Sequence, residues 1–501
     1  MRLVLPVTDE FILLDAAQTR AFEQRASAVL PPHTLMRRAG ESVARLALAV
    51  APNARQFWIA AGPGNNGGDG LEAVVHLLRW GKSVEVSLIG DAATLPVDAA
   101  DALARAQSAG ARIGTAASPS AAPQLAIDAL LGVGATRAPQ GEIAACIRTL
   151  NALACPVLAV DLPSGLHAAT GQPLGEDCVV ASHTLAMLTL KPGLFTGVGR
   201  DHAGTTWLDV LGADAHEARS PAAWLAGRDA PTPRRHAQHK GSFGDVAVVG
   251  GAHGMTGAAL LAARAAHAAG AGRVYVDLLD RNQATPRSDP TRPELMFRDD
   301  WVQAHPEALA RTTVVCGCGG GDAVRAPLPR LLGAVRRLVL DADALNAIAQ
   351  DASLATLLRA RGGRGMATVL TPHPLEAARL LGCTTAELQS DRLRAARELV
   401  DRFACCVVLK GSGSVIAAAG QVPRINSTGN AALATAGTGD VLAGWLGGRW
   451  AQRLAAGEAV DEAAIAFIAA RHAVAEHGAG AEPQPPGALR AADLIERLCT
   501  R

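Results

Sequence analysis

The chain has 501 residues, of which 49% are hydrophobic and 19% charged. That length asks for two to four domains at roughly 100–200 residues each, and that balance excludes a disordered chain. Lys+Arg 47 against Asp+Glu 46 leaves a net charge of +1, and aromatic residues are only 3%. A basic nucleic-acid binder with base-stacking platforms is therefore excluded as a first reading.

Nine cysteines are scattered along the chain. An odd, unpatterned set reads as reduced thiols in a cytoplasmic protein, not as a disulfide framework. Asp9, Glu10 and Asp15 interrupt any signal-peptide core, and no apolar run reaches the ~18 residues of a membrane span. The expectation is a cytoplasmic protein with no membrane partner.

In the first half, Gln56–Ala61 reads as a strand, followed by a Gly/Asn loop and by Leu71, Val74, Val75 and Leu78 at helical spacing. Residues 83–89 form a second strand pattern, completing a βαβ unit and implying a parallel sheet. Further strands are expected at 125–128, 157–161, 185–190 and 206–210. The period fades after Gly212, and Pro231, Pro233 and the Arg234-Arg235 pair punctuate the break. This gives a first domain over 1–220, a linker over 221–234 and a second domain over 235–501. The second half repeats the α/β style, with strands expected at Asp245–Gly250, Arg273–Leu278, Thr313–Cys316, 338–341, 368–371 and 407–410.

Chemistry-bearing residues gather where these strands end. Asn65-Asn66-Gly67-Gly68-Asp69-Gly70 opens the first helix, where free N–H groups and the dipole favour an anion. It matches neither the dinucleotide fingerprint nor the P-loop, and a plain Gly-rich turn is the competing reading. Asp128 and Asp161 close two other strands, the latter running into Leu162-Pro163-Ser164-Gly165. Carboxyl ends of neighbouring parallel strands form a ligand crevice. Asn66, Asp128 and Ser164 offer oxygen ligands for a hard, weakly held cation. Lys191, before Pro192-Gly193, reads as a cationic partner or a proton carrier, with a surface lysine at a strand end as the competing reading.

In the second half, Gly437-Thr438-Gly439-Asp440 precedes a helical pattern. A Gly-x-Gly turn there makes an anion hole, and an aspartate beside it can take a proton from an attacking hydroxyl. A simple Asp cap explains the same residues. Lys410-Gly411-Ser412-Gly413-Ser414 follows an apolar strand, and Thr371-Pro372-His373-Pro374, with Glu376, ends another. Cys316 and Cys318 form a lone Cys-x-Cys with no second pair nearby, which is not the pattern of a zinc site. Cys405 and Cys406 read as core thiols.

The Asn-Asn-Gly-Gly-Asp-Gly loop, the Asp128 loop, Asp161-Leu162-Pro163-Ser164-Gly165 and Leu190-Lys191-Pro192-Gly193 occur in order. Together they resemble the N-terminal epimerase domain of the NAD(P)HX repair enzymes over about residues 1–215. That resemblance implies a Rossmann-like fold and interconversion of the R and S epimers of hydrated NAD(P)H. It implies contact with the hydrated nucleotide by Asn65, Asn66, Gly67, Gly68 and Asp69, by Gly132, Val133, Gly134, Ala135, Thr136, Arg137 and Ala138, and by Asp161. It also places K⁺ on Asn66, Asp128 and Ser164, and makes Asp161 and Lys191 the catalytic candidates. Glu72 departs from the family's usual apolar residue.

The segments KGSFG, GGAHGMTGAAL, LDADALN, TPHPLEAARLLG, LKGSGSVIA and NSTGNAALATAGTGDVLAG resemble the ADP-dependent NAD(P)HX dehydratase domain, which is ribokinase-like, over about residues 235–498. By resemblance, Ala258, Gly319, Gly321, His373 and Asp440 face the hydrated nicotinamide nucleotide. Lys410, Gly411, Ser412, Gly413, Ser414 and Gly439 contact the adenine nucleotide, and Asp440 is catalytic. Cys318 stands where proline is usual, and Gly320 where leucine is common. The whole implies two three-layer α/β domains in a bifunctional enzyme acting on NADHX and NADPHX, with K⁺, Mg²⁺ and ADP, and assembling as a homo-oligomer. The alternatives are a ribokinase-like small-molecule kinase with an appended nucleotide-binding domain, and a non-catalytic nucleotide sensor.

Overall fold

The computed structural model describes residues 1–7, 10–213, 220–227, 235–282, 284–455, 461–482 and 487–500. The chain divides into two compact units, Met1–Leu225 and Ala226–Arg501. Strands in the first are β1 (Arg2–Leu3), β2 (Phe11–Leu13), β3 (Gln56–Ala61), β4 (Ser83–Leu88), β5 (Arg112–Gly114), β6 (Leu125–Ala129), β7 (Val157–Val160), β8 (His183–Met187) and β9 (Thr205–Asp209), with β10 (Ala223–Ala226) at its end.

Eight of these form one sheet in the order β1-β9-β8-β7-β6-β3-β4-β5. Every neighbour pair is parallel except β1 with β9. Alternation along β3 shows both faces covered. Phe57, Ile59 and Ala61 join a core with Val43, Leu71, Val74 and Ala102 from helices Thr34–Val50, Asn65–Arg79 and Val97–Ser108. Trp58 and Ala60 point the other way, onto Cys146, Ile147 and Leu150 of helix Gly141–Ala152. A strand buried on both faces reads as a continuous apolar run, as β3 does.

The second unit carries β11 (Asp245–Gly250), β12 (Arg273–Leu278), β13 (Met296–Phe297), β14 (Thr313–Cys316), β15 (Arg337–Leu340), β16 (Ala367–Leu370), β17 (Cys406–Leu409), β18 (Val415–Ala417) and β19 (Arg424–Asn426). Their order is β13-β12-β11-β14-β15-β16-β17-β18-β19. Pairing is parallel from β13 to β17 and antiparallel beyond. Val246, Val276, Val315, Val339, Val369 and Val408 pack under helices Thr256–Ala268, Thr438–Ala455 and Glu462–Ala481. The alternate residues Leu340, Leu370 and Leu409 are buried too. Helices Ala352–Gly363 and Arg392–Phe403 pack on β16 and β17 outside that cluster, so this sheet is also sandwiched.

In both sheets the chain leaves its first central strand in one direction and returns on the other side. The reversals fall between β3 and β6 and between β11 and β14. These are the switch points at which open α/β sheets bind ligands.

The expected strands form, with ends shifted by a residue or a few. Residues 157–161 stop at Val160, because Asp161 turns to φ +64° and leaves the ladder. Residues 185–190 shift to His183–Met187, and Leu188 has φ +60°. The expected linker over 221–234 begins instead with strand β10, whose Ala223 pairs antiparallel with Leu13 of β2. Its residues 228–234 lie outside the described ones. Glu72 is buried but compensated, paired with Arg105 and lying 3.4 Å from His76.

Helices Thr256–Ala268 and Thr438–Ala455 approach so closely that a Cβ on Gly444 would lie 1.9 Å from the Ala262 carbonyl oxygen. Gly444→Ala forces the two backbones apart. It should destabilise the second unit by about 1–3 kcal/mol, read as an earlier thermal transition; an unchanged transition would contradict this packing.

Candidate active sites

The first site is built at the β3/β6 switch point. Most of the loop's glycines are there for packing. A Cβ on Gly62 would lie 1.9 Å from the Leu130 oxygen, on Gly67 2.0 Å from the Gly62 oxygen, and on Gly70 2.6 Å from the Ala129 side chain. They press the helix start onto the sheet. Gly64, its N-cap residue, and Gly134 meet nothing within 4 Å. Those two leave backbone open for a ligand. Asn65 is exposed, Asn66 half-buried, and the segment carrying Gly134, Arg137 and Ala138 is an exposed loop.

Asp128, fully buried, is wired to Ser164. Its oxygens accept from Ser164 Oγ at 2.6 Å, Ser164 N at 2.8 Å and Leu130 N at 3.2 Å. Burial pushes its carboxyl up to about 6 against those bonds. Gly132 lies against Asn66, with 3.3 Å from its notional Cβ to the Asn66 amide. The Asn66 amide nitrogen is buried without a partner.

Asp161 and Lys191 meet directly. Lys191 is 0% exposed, so it is no surface lysine. Its ammonium pairs with Asp161 Oδ1 and donates to the carbonyls of Met187 at 3.0 Å and Thr189 at 2.9 Å. All three donors are used. Asp161 Oδ1 also accepts from Met187 N at 3.1 Å.

Two more carboxyls face this pair. Asp69 is raised well above its ordinary value by burial, then by Asp161 and Glu23. Glu23 is raised by burial and then by Asp161, with Lys191 opposing. Glu23 was not anticipated. It sits one turn beyond Thr19 in helix Ala16–Ala28, and Thr19 Oγ1 lies 3.1 Å from Thr189 Oγ1, which docks that helix over the site.

The second site lies at the β11/β14 switch point and along β15–β17. The loops after β11 and β14 are zipped together by Gly251 N to Cys318 O at 2.9 Å and Ala252 N to Gly319 O at 2.7 Å. Gly319, at φ +58°, lies against Ala258, with 2.8 Å from its notional Cβ to the Ala258 Cβ. Gly321 N donates to Asp343 Oδ2 at 2.8 Å.

Asp341, just past β15, is the hub. Its Oδ1 accepts from Lys410 Nζ at 2.6 Å and Thr371 Oγ1 at 2.8 Å. Burial works against the Lys410 ammonium, but Asp341 and Glu376 outweigh it and raise its pKa. A Cβ on Gly439 would lie 3.3 Å from Lys410 Nζ, so the Gly437–Asp440 turn meets the Lys410 loop. Asp440 is pushed up to about 6 by burial and by Asp341, opposed by a hydrogen bond from Cys318 and by Lys410. Arg392 braces the nucleotide-loop candidate from behind, donating to Leu409 O at 3.2 Å and Lys410 O at 3.1 Å. Ser412 is exposed, while Ser414 Oγ donates to Gly411 O at 3.1 Å.

His373 caps helix Pro374–Leu381. Its Nδ1 accepts from Leu375 N at 3.0 Å and Glu376 N at 3.3 Å, and its Nε2 lies 3.2 Å from Glu376 Oε1. Accepting at Nδ1 puts the proton of the neutral ring on Nε2. Burial and Lys410 lower the His373 pKa, while burial pushes Glu376 up to about 7. Of the cysteines, Cys316 lies inside β14, and Cys405 and Cys406 are buried. Cys318 instead joins Asp341 and Asp440, with one ligand atom of each within 4.8 Å of the others.

Sequence reasoning did not assign Asp341 or Thr371 a role. Both stand at strand ends, the signal that singled out Asp128 and Asp161. Lys191→Met would leave Asp161 without its cation, and should cost about 3–5 kcal/mol in stability. Denaturant unfolding measures it; a loss below about 1 kcal/mol would contradict the pairing.

Comparisons with known proteins match a family to each half of the chain. The NAD(P)H-hydrate dehydratase family profile matches residues 246–489. The profile of the YjeF-related protein N-terminus matches residues 32–193. The bifunctional NAD(P)H-hydrate repair enzyme of Escherichia coli (strain K12) is 36% identical over 491 residues, covering 94% of this chain and 91% of the relative. That of Coxiella burnetii is 33% identical, covering 93% of this chain and 96% of the relative. That of Moorella thermoacetica is 35% identical, covering 97% and 96%. The chain belongs to the bifunctional NAD(P)H-hydrate repair enzymes, with an epimerase half and a dehydratase half.

Proposed function

We propose that the first unit epimerises NADHX and NADPHX at the Asp161–Lys191 pair, and that the second dehydrates the S epimer with ADP at Asp440. The observation that carries the division is that each unit has its own Lys–Asp pair at the carboxyl ends of its parallel strands: Lys191–Asp161 and Lys410–Asp341.

In the epimerase, the hydrated nucleotide lies along Asn65, Asn66, Asp69 and residues 132–138. Lys191 pairs with Asp161 beside it. Asp69 and Glu23, both raised, are the carboxyls able to carry protons there. Asn66, Asp128 and Ser164 are the residues that would hold K⁺. The donor set suits a hard cation: Asn66 carries an amide oxygen, Ser164 a hydroxyl, and Asp128 accepts three hydrogen bonds, leaving one of about four lone-pair positions.

In the dehydratase, the substrate faces Ala258, Gly319, Gly321 and His373, and ADP lies along residues 410–414. Asp440 accepts the proton of the substrate hydroxyl. The N–H groups at the start of helix Thr438–Ala455, together with Lys410, hold the phosphoryl group being moved. Oxygen attack on the β-phosphorus of ADP releases AMP; loss of phosphate then regenerates NAD(P)H. Asp341 has a carboxylate that would suit Mg²⁺, which when bound would neutralise nucleotide phosphate charge. All nine cysteines are free, which supports a reducing, cytoplasmic setting. Among the described residues no helix is long and apolar enough to cross a membrane.

A stable phosphorylated product would instead favour the kinase reading. Asp440→Asn should abolish dehydration and spare epimerisation, and Asp161→Asn the reverse. Separate epimer assays check this, and loss of both activities in one folded variant would contradict the division. Because a base must be ionised, kcat/KM for dehydration should rise with pH through about 6, the value to which Asp440 is pushed, and then level off. A flat profile across that range would remove Asp440 as the base.

A further inference from the structure

We propose that Cys318, Asp341 and Asp440 form a site for a thiophilic divalent cation of the zinc class, through which such ions shut off the dehydratase half. The inference rests on the reading of Asp440 as the dehydration base. Three donors from three separate segments, the loop after β14, the end of β15 and the start of helix Thr438–Ala455, bring one ligand atom each within 4.8 Å of the others. Cys318 is 0% exposed and Asp341 1% exposed. Asp341 spends Oδ1 on Lys410 and Thr371, and its Oδ2 has no partner among the described residues. That oxygen is thus left to a ligand.

The donor chemistry selects the ion. Mg²⁺ takes oxygen and keeps its waters, whereas one sulfur with two carboxylates suits zinc, which binds thiolate at ~2.3 Å and carboxylate at ~2.0 Å in a tetrahedron. Water completes the fourth position. Charge closes as well. The two carboxylates and the Lys410 ammonium leave one negative charge; binding releases the Cys318 thiol proton to solvent and makes it two, matched by the cation. Once bound, the ion occupies Asp440 and withdraws it as a base. Nothing in the first unit takes part, so epimerisation continues.

The test uses the full-length protein and its Cys318→Ser variant, both titrated with cobalt(II) and, separately, zinc(II). Cobalt at one equivalent should give the wild type a near-ultraviolet sulfur-to-metal charge-transfer band that Cys318→Ser lacks. Zinc should inhibit wild-type dehydration at least about tenfold more strongly than that of the variant, the least that weakening a metal shell costs. Epimerase activity should be untouched in both. No charge-transfer band in the wild type, or an identical band in the variant, overturns the site. Equal zinc inhibition of the two proteins overturns its role in control. The cobalt spectrum needs no turnover, so failure of the dehydratase reading and failure of the metal site are separable.

Discussion

A lysine ammonium, fully buried in the first half and largely buried in the second, pressed against an aspartate just past a strand end is the interaction on which each half depends. Lys191 reaches Asp161 in the first unit, and Lys410 reaches Asp341 in the second. Burying either charge alone costs several kcal/mol, so each partner obliges the other. Lys191 also takes the carbonyls of Met187 and Thr189, pinning the turn after β8. Lys410 ties β15 to β17 across β16, with Thr371 contributing from between. A charged pair therefore fixes the strand ends, and the strand ends form the crevice.

The two sheets bring other residues to those ends by the same topology. Reversal of strand order leaves a gap on the carboxyl side that no crossover fills. Small residues let the neighbouring loops close around it: Gly62 against Leu130 in one unit, Gly250 against the Cys318 carbonyl in the other. The density of glycine that makes the loops conspicuous in sequence is thus largely a demand of backbone approach. Only Gly64 and Gly134 stand clear of other atoms in the first site.

Strands with long apolar runs were legible because both faces are buried; β3, β11 and β12 match their expected bounds. Short strands were not. β1, β2 and β5 have two or three residues, too few for a period to register. Strand ends moved where a residue takes positive φ, as Asp161 does, because sequence pattern does not report a backbone turn. Of the site, the motif loops were visible, but Glu23 was not. It belongs to a helix remote in sequence, and only tertiary docking through Thr19 and Thr189 brings it near Asp161. The Cys318 thiol looked like half of an isolated Cys-x-Cys; its partners are aspartates at a later strand end and a later helix start, invisible to local spacing.

The most direct measurement of the central claim follows the near-ultraviolet absorbance of reduced nicotinamide while the full chain acts on mixed R and S NADHX with Mg²⁺, K⁺ and ADP. The account predicts recovery of both epimers as NADH, with the R fraction slowed when Asp161 is replaced by Asn. Recovery of the S fraction alone by the unaltered chain would contradict epimerisation in the first unit. No recovery with ADP would contradict the assignment of the second.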